Sequence, residues 1–169
     1  MKIVFVDGYN VINSWPNLKM TKNSSYEYSR QQLIDTLQNY SEFKGYKMFI
    51  VFDAHMVKGS LEKKETKGNI VVVFTKEGET ADNYIERTVN DIGRKSEICV
   101  VSSDSLVQQV TFQRGATRMS SIEFYHEVSS VEKKIQTRTE NKYLEKRNWL
   151  EERIDEKTLE KLEKIRRSH

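Results

Sequence analysis

One cysteine, one proline and three histidines are all that the 169 residues hold of those types, and each scarcity removes a class of protein. With Cys99 alone no intrachain disulfide can form, and its place in the apolar run Ile98 to Val101 makes it a packing residue of a reducing compartment. The same residues offer no Cys and His grouping with zinc-ligand spacing. Long apolar runs are missing too. Lys2 precedes only four apolar residues, too few for a signal-peptide core, and nowhere does the chain hold the roughly 18 apolar residues of a membrane span. The expectation is a soluble, cytoplasmic protein with no membrane partner. No phosphate loop of the form GxxxxGKS or GxxxxGKT occurs, so no nucleotide cofactor of that kind is expected.

Net charge is also small, +3, but unevenly placed. From Glu132 onward Lys and Arg outnumber Asp and Glu 12 to 9, which leaves 16 of each in residues 1–131. A basic bias of this size is weak evidence for a polyanionic partner.

What is present is a β and α alternation. KIVFVD, YKMFIVFD from Tyr46, NIVVVFT from Asn69 and EICVVSSD from Glu97 are continuous apolar runs, as expected of central strands covered on both faces. Between them Ser25–Phe43 places Leu33, Leu37, Tyr40 and Phe43 on one helical face, and Glu79–Ile92 does the same with Ala81, Ile85, Val89 and Ile92. Ser105–Arg114 reads as a helix ending at Gly115, and Ser120 with Glu123 as a capping box for the segment that follows. The expectation is an α/β domain over residues 1–131, with a mainly parallel central sheet and helices on both sides. A charged helical extension follows over 132–169. It carries neither glycine nor proline before Arg167, and Tyr143, Leu150, Ile154 and Leu162 form a sparse apolar stripe.

Carboxylates gather where such a sheet places its ligand crevice, outside the carboxyl ends of the strands. Asp7, Asp53 and Asp104 end three of the four runs, and Asp82 opens the helix after the loop KEGE. Singly each has an ordinary structural reason: a turn, a helix cap, a dipole contact. Together, like charges at a low-dielectric rim strain the fold unless a cation neutralises them. Oxygen donors of this kind, with the Asn10 amide and the Ser102 and Ser103 hydroxyls beside them, suit Mg²⁺ or Mn²⁺. Glu86 lies one helical turn beyond Asp82, Glu79 sits nearer the loop, and His55 follows Asp53 closely enough to contact phosphate. Phosphoryl transfer through an aspartyl intermediate wants an Asp-x-Asp at the first strand, and a receiver domain wants an acidic pair there with a later lysine. Neither pattern is present, which leaves metal-assisted phosphodiester cleavage.

AspGlyTyrAsnValIle at 7–12, ValPheAspAlaHis at 51–55, GlyGluThrAlaAsp at 78–82 with Glu86, and SerSerAsp at 102–104 resemble the NYN branch of the PIN-like nucleases. Their order and spacing are most similar to the YacP-like group, ribosome-associated endoribonucleases of Gram-positive bacteria. The resemblance implies a PIN-like three-layer α/β/α fold and Mg²⁺- or Mn²⁺-dependent cleavage of messenger RNA in the ribosomal A site. By position it makes Asp7, Asp82 and Asp104 the catalytic, metal-holding centre, with Asn10 and Ser102 as polar support and less defined places for Asp53 and Glu86. Ser102 stands where PIN-like sites commonly carry threonine, a change that keeps the hydroxyl. Two other readings stay open: an RNA- or ribosome-binding factor with a structural acidic cluster, and a phosphatase or DNA-cleaving nuclease.

An acidic rim repels RNA, so grip must come from elsewhere. Lys58, Lys63, Lys64 and Lys67 in KGSLEKKETKG read as a mobile basic loop beside Asp53, able to contact phosphates without sequence selectivity. Aromatic residues just after a strand are more often core, which is the reading taken for Tyr9 and Trp15, with base stacking as the alternative. In the tail, Lys133, Lys134, Arg138, Lys142, Lys146 and Arg147 are candidates for ribosomal RNA contact.

Overall fold

Apolar runs buried on both faces must lie inside a sheet, and all four do. The computed structural model describes residues 1–55, 58–104, 115–153 and 156–168, without the side chain of Glu151. Its strands are β1 (Lys2–Asp7), β2 (Lys47–Phe52), β3 (Lys63–Lys67), β4 (Ile70–Phe74), β5 (Glu97–Val101) and β6 (Thr117–Met119), arranged in the order β3-β4-β2-β1-β5-β6. β1 pairs in parallel with β2 and β5, β2 with β4, and β5 with β6, while β3 runs antiparallel to β4. The helices are α1 (Gly8–Ser14), α2 (Pro16–Thr21), α3 (Tyr26–Lys44), α4 (Ala81–Ile92), α5 (Ser121–Arg153) and α6 (Glu156–Arg167).

Strand residues alternate between two helical layers. Phe5, Val51, Val71, Val73, Ile98 and Val100 pack with Ala81, Tyr84, Ile85 and Val89 of α4. On the opposite face Val4, Cys99 and Val101 share a small cavity with Tyr40 of α3 and Phe124 of α5. The result is the expected α/β/α sandwich. Local sequence sets the helix ends: Ser25 accepts the Tyr28 N–H, Thr80 accepts the Asn83 N–H, and Gly45 takes φ 69° at the close of α3. Both halves of the capping box form, Glu123 N–H to Ser120 Oγ at 3.2 Å and Ser120 N–H to Glu123 Oε2 at 2.8 Å.

The chain divides into two compact units, Met1–Val131 and Glu132–His169. The second is helical, and Tyr143, Leu150 and Leu162 of its expected apolar stripe are exposed. Ile154 of that stripe and the helix expected over Ser105–Arg114 lie outside the described residues. Among the described residues no helix is long and apolar enough to cross a membrane.

One expectation needs correction, and one alternative falls away. Lys63–Lys67 is not a mobile loop but the antiparallel edge strand β3, tied by main-chain bonds to the buried β4. Its polar sequence hides this, because an edge strand with exposed side chains needs no apolar pattern. Trp15 is no stacking platform: it is 2% exposed, its ring packs against Phe124 and Tyr125, and its Nε1–H donates to the Ser121 carbonyl at 2.8 Å.

Gly8 answers why a small residue follows Asp7. A Cβ there would sit 2.4 Å from the Phe52 ring, which is fully buried and stacked on Phe74. The close approach of α1 to β2 therefore excludes any side chain. Gly8→Ala is expected to cost about 1–3 kcal/mol of stability through overpacking, read as a lower denaturation midpoint with the slope unchanged. An unchanged midpoint in urea would refute that constraint.

Candidate active site

A strand buried on both faces can end on a carboxylate when the chain turns there into a helix. Asp7 is the last residue of β1 and the N-cap of α1, its Oδ1 accepting the Asn10 N–H at 3.2 Å. Asp53 follows β2 directly and accepts the His55 N–H at 2.9 Å, with the His55 ring Nδ1 against the same oxygen. The turn between them is pinned from just beyond β4, since the Ala54 N–H donates to the buried Thr75 Oγ1 at 2.9 Å. Asp82 stands in the first turn of α4. Asp104 lies three residues beyond the end of β5, its N–H donating to Ser102 Oγ at 3.1 Å.

These four carboxylates act on one another. Burial is the largest influence on Asp7, and although the Asn10 N–H opposes it, the neighbouring Asp82 and Asp53 charges add to it, so the Asp7 carboxyl is pushed up to about 7. Burial first, and then the Asp104 charge, also raises Asp82, whose side chain lies within hydrogen-bonding reach of Asp7. Asp82 Oδ1 is shut off from solvent and accepts no hydrogen bond. A buried carboxylate oxygen without a donor is costly and calls for a proton or a cation.

The donor set fits a hard divalent cation. Among the described residues no three Asp, Glu, His or Cys side chains form a direct cage for one ion. The close pair is Asp7 and Asp82, with Asp53 and Asp104 at Coulombic range. Mg²⁺ is commonly held by one or two carboxylates while keeping several waters. Asp7 and Asp82 would hold it, and Asp104 would act through water.

Asn10, Ser102 and Ser103 hold the rim together. Asn10 Oδ1 accepts the Ser103 N–H at 3.0 Å and the Ser121 hydroxyl, so it joins α1, the segment after β5 and the start of α5. Ser103 Oγ accepts the Ser121 N–H at 3.3 Å. Ser121 and Thr75 escaped sequence reading because neither stands in a recognisable pattern; both are hydroxyls at an element boundary. Glu86 is exposed on α4. Glu79 is 7% exposed and belongs to an ion network, with Arg87 Nε at 2.7 Å and Arg87 also reaching Glu62 at 2.8 Å.

Among the expected RNA contacts, Lys63 pairs with Glu65 at 2.7 Å and Lys64 with Glu62 at 2.8 Å, so a phosphate would compete with these carboxylates. Lys58 is exposed and Lys67 half-buried at the end of β3. Lys133, Lys134 and Arg138 are exposed on α5, as are Lys142, Lys146 and Arg147.

Comparison with known proteins agrees with this architecture. A curated Bacillus subtilis (strain 168) relative, carrying the name Uncharacterized protein YacP, is 43% identical over 82% of this chain and 81% of its own. A crystal structure of Rae1 (YacP) from Bacillus subtilis superposes with a TM-score of 0.74 at 40% identity, covering 99% of this chain and 95% of that one. A tryptophan-to-leucine mutant of the same protein gives 0.74 at 37% identity over 86% of each chain. The model of the YacP-like NYN domain matches residues 4–167, across both units. A PIN-like sandwich whose acidic residues meet at the carboxyl edge of a parallel sheet thus coincides with a match over nearly the whole chain, and the protein belongs to the YacP-like NYN domain family, a nuclease-type domain.

Proposed function

We propose that this protein is a Mg²⁺- or Mn²⁺-dependent endoribonuclease that cuts messenger RNA in the A site of the translating ribosome and so acts in mRNA decay. The observation that carries the reading is the buried, donorless Asp82 Oδ1 beside an Asp7 carboxyl already driven up to about 7, an arrangement that a divalent cation relieves.

Asp7 and Asp82 would hold the cation and Asp104 would orient its water. When bound, the cation supplies Lewis-acid stabilisation of the phosphoryl oxygens and an acidified water. Water attacks phosphorus in line and the P–O3′ bond breaks, which leaves a 5′-phosphate and a 3′-hydroxyl. The 2′-hydroxyl takes no part as nucleophile. Asn10 keeps the Ser103 and Ser121 ends of the rim fixed while charge develops. His55, braced by Asp53, stands at the border of the cluster, where a substrate phosphate would arrive.

The tail supports the ribosomal part of the reading. Lys134, Arg138, Lys142 and Lys146 recur every fourth residue along α5, so they form one basic stripe on the helix surface. Such a stripe gives salt-dependent grip on RNA backbone.

The test is a labelled messenger RNA, presented on translating ribosomes and free, with Mg²⁺ or Mn²⁺. Cleavage on ribosomes that vanishes on chelation is expected, and cleavage that survives complete chelation overturns the metal reading. Neutralising Lys134, Arg138, Lys142 and Lys146 together should weaken ribosome association at least tenfold, about 1.4 kcal/mol, while cleavage of a naked oligonucleotide changes little. Equal losses in both assays would refute a separate docking role.

A further inference from the structure

Beside the acidic centre lies a second feature that the chemistry above does not use. Tyr9, Asn13, Tyr26 and Arg30 line an open pocket of about 380 Å³ between α1 and the first turns of α3, a size in the range of small-ligand sites. The pocket is built on the same sheet edge as the acidic cluster. Tyr9 stands two residues after Asp7 and packs edge-on against Phe52, the residue before Asp53, with ring centroids 5.2 Å apart. The Arg30 guanidinium lies over Phe74, at the end of β4, 5.9 Å from the ring centroid.

The lining has the chemistry of a nucleotide site. Tyr9 and Tyr26 meet at 87° with centroids 5.7 Å apart, a perpendicular arrangement that occupies at most one ring face, and Tyr26 is 47% exposed. Arg30 donates from Nη1 to the Tyr9 hydroxyl at 3.0 Å. Among the described residues it faces no carboxylate at ion-pair distance, which leaves donors of its fork for an anion. Lys22 adds a second positive charge, its Nζ donating to Asn13 Oδ1 at 2.8 Å. Two tyrosines, an amide and a guanidinium, with Lys22 bonded to the amide and no acidic residue among the described lining residues, stand next to four carboxylates that repel the same substrate. An unpaired base stacks on an aromatic face whatever its identity, and guanidinium binds phosphate through paired donors.

We infer that this pocket is a subsite for one unpaired nucleotide of a single RNA strand flanking the scissile phosphate, with Tyr26 stacking on the base and Arg30 holding the phosphate. The inference rests on the reading of the acidic centre as a ribonuclease site, and it makes the enzyme selective for unpaired RNA. Tyr9 and Arg30 brace each other, so the subsite is ordered before substrate arrives.

The experiment is anisotropy of a short, labelled single-stranded oligoribonucleotide with the full-length protein in chelator, which allows binding without cleavage. Stacking on one base is worth about 1–3 kcal/mol, so Tyr26→Ala should weaken binding roughly 5- to 150-fold. Tyr26→Phe should bind like the parent, because it keeps the ring. Arg30→Gln should weaken binding and reduce the slope of log K against log salt by about 0.7, one phosphate's share on a single strand. A perfectly paired duplex should bind without any dependence on Tyr26. The inference is overturned if the parent binds no single strand, or if Tyr26→Ala and Arg30→Gln bind as the parent does. Cleavage, followed separately in Mn²⁺, keeps the two readings apart. Cleavage lost in Asp7→Asn but untouched by either pocket variant refutes the subsite and leaves the nuclease. Tyr26-dependent binding by a protein that cleaves nothing leaves a nucleotide-binding pocket but refutes the nuclease, and with it the place beside a scissile phosphate.

Discussion

Asp7→Asn will lower metal-dependent RNA cleavage on the order of 100- to 1,000-fold while the protein folds as before. The magnitude follows from the several kcal/mol of transition-state charge stabilisation that a divalent cation supplies, each 1.36 kcal/mol being tenfold in rate. Folding should survive because asparagine is as good an N-cap as aspartate, so its side-chain oxygen can still accept the Asn10 N–H that starts α1. The introduced amide also brings donors next to Asp82, whose buried Oδ1 has none. The variant should therefore be inactive yet at least as stable as the parent without metal. Full turnover in the variant would remove Asp7 from the centre. A collapse of stability would mean that Asp7 serves the fold rather than the chemistry.

Parent stability in chelator should fall between about pH 4 and pH 7, and Mg²⁺ or Mn²⁺ should restore it at pH 8. The folded-state carboxyl of Asp7 keeps its proton up to about 7, against 3.8 for the free group. Within that window the folded protein binds more protons than the unfolded chain, so stability falls as pH rises. The contribution is complete below the unfolded value and lost above the folded one. Its upper bound is roughly 4 kcal/mol, and coupling to Asp82 divides it between the two groups. For a chain of this length each kcal/mol moves Tm by about 2–4 °C, so a drop of several degrees is expected between pH 5 and pH 8. Cation binding replaces the lost proton and reverses the drop by mass action. Melting curves of the parent and Asp7→Asn, with and without cation, separate this from other titrations. Parallel pH profiles for the two proteins would refute the assignment.

The inner strands were legible because continuous apolar runs have one comfortable place in an α/β domain, and Asp7, Asp53 and Asp104 were legible because strand ends share one edge. β3 was not, since Lys63–Lys67 carries no apolar residue and owes its conformation to the main-chain partners of Ile70–Phe74. Thr117–Met119 is three residues long and mostly exposed, too short for any periodicity. The helix at Gly8 was hidden because AspGlyTyrAsn also spells a turn. What makes it a helix is the packing of Gly8 on Phe52 and the Asp7 cap. Asn10 looked like a candidate cation ligand, yet its oxygen is taken by Ser103 and Ser121, which lie 93 and 111 residues away. The pocket of Tyr9, Asn13, Tyr26 and Arg30 was invisible for a similar reason: α1 and α3 bring its members together only after they have docked on the sheet.

The pairing of β1 sets the order in which this protein can become active as it is made. β1 is made before both of its neighbours, Lys47–Phe52 and Glu97–Val101, and parallel partners so distant in sequence make for slow, late assembly. Asp82 and Asp104 emerge later still than β2. Until β5 has been synthesised and has docked beside β1, the rim lacks Asp104 and is incomplete. If the proposed activity holds, a growing chain is harmless to the message that encodes it, and cutting power arrives only once the sheet has closed around β1.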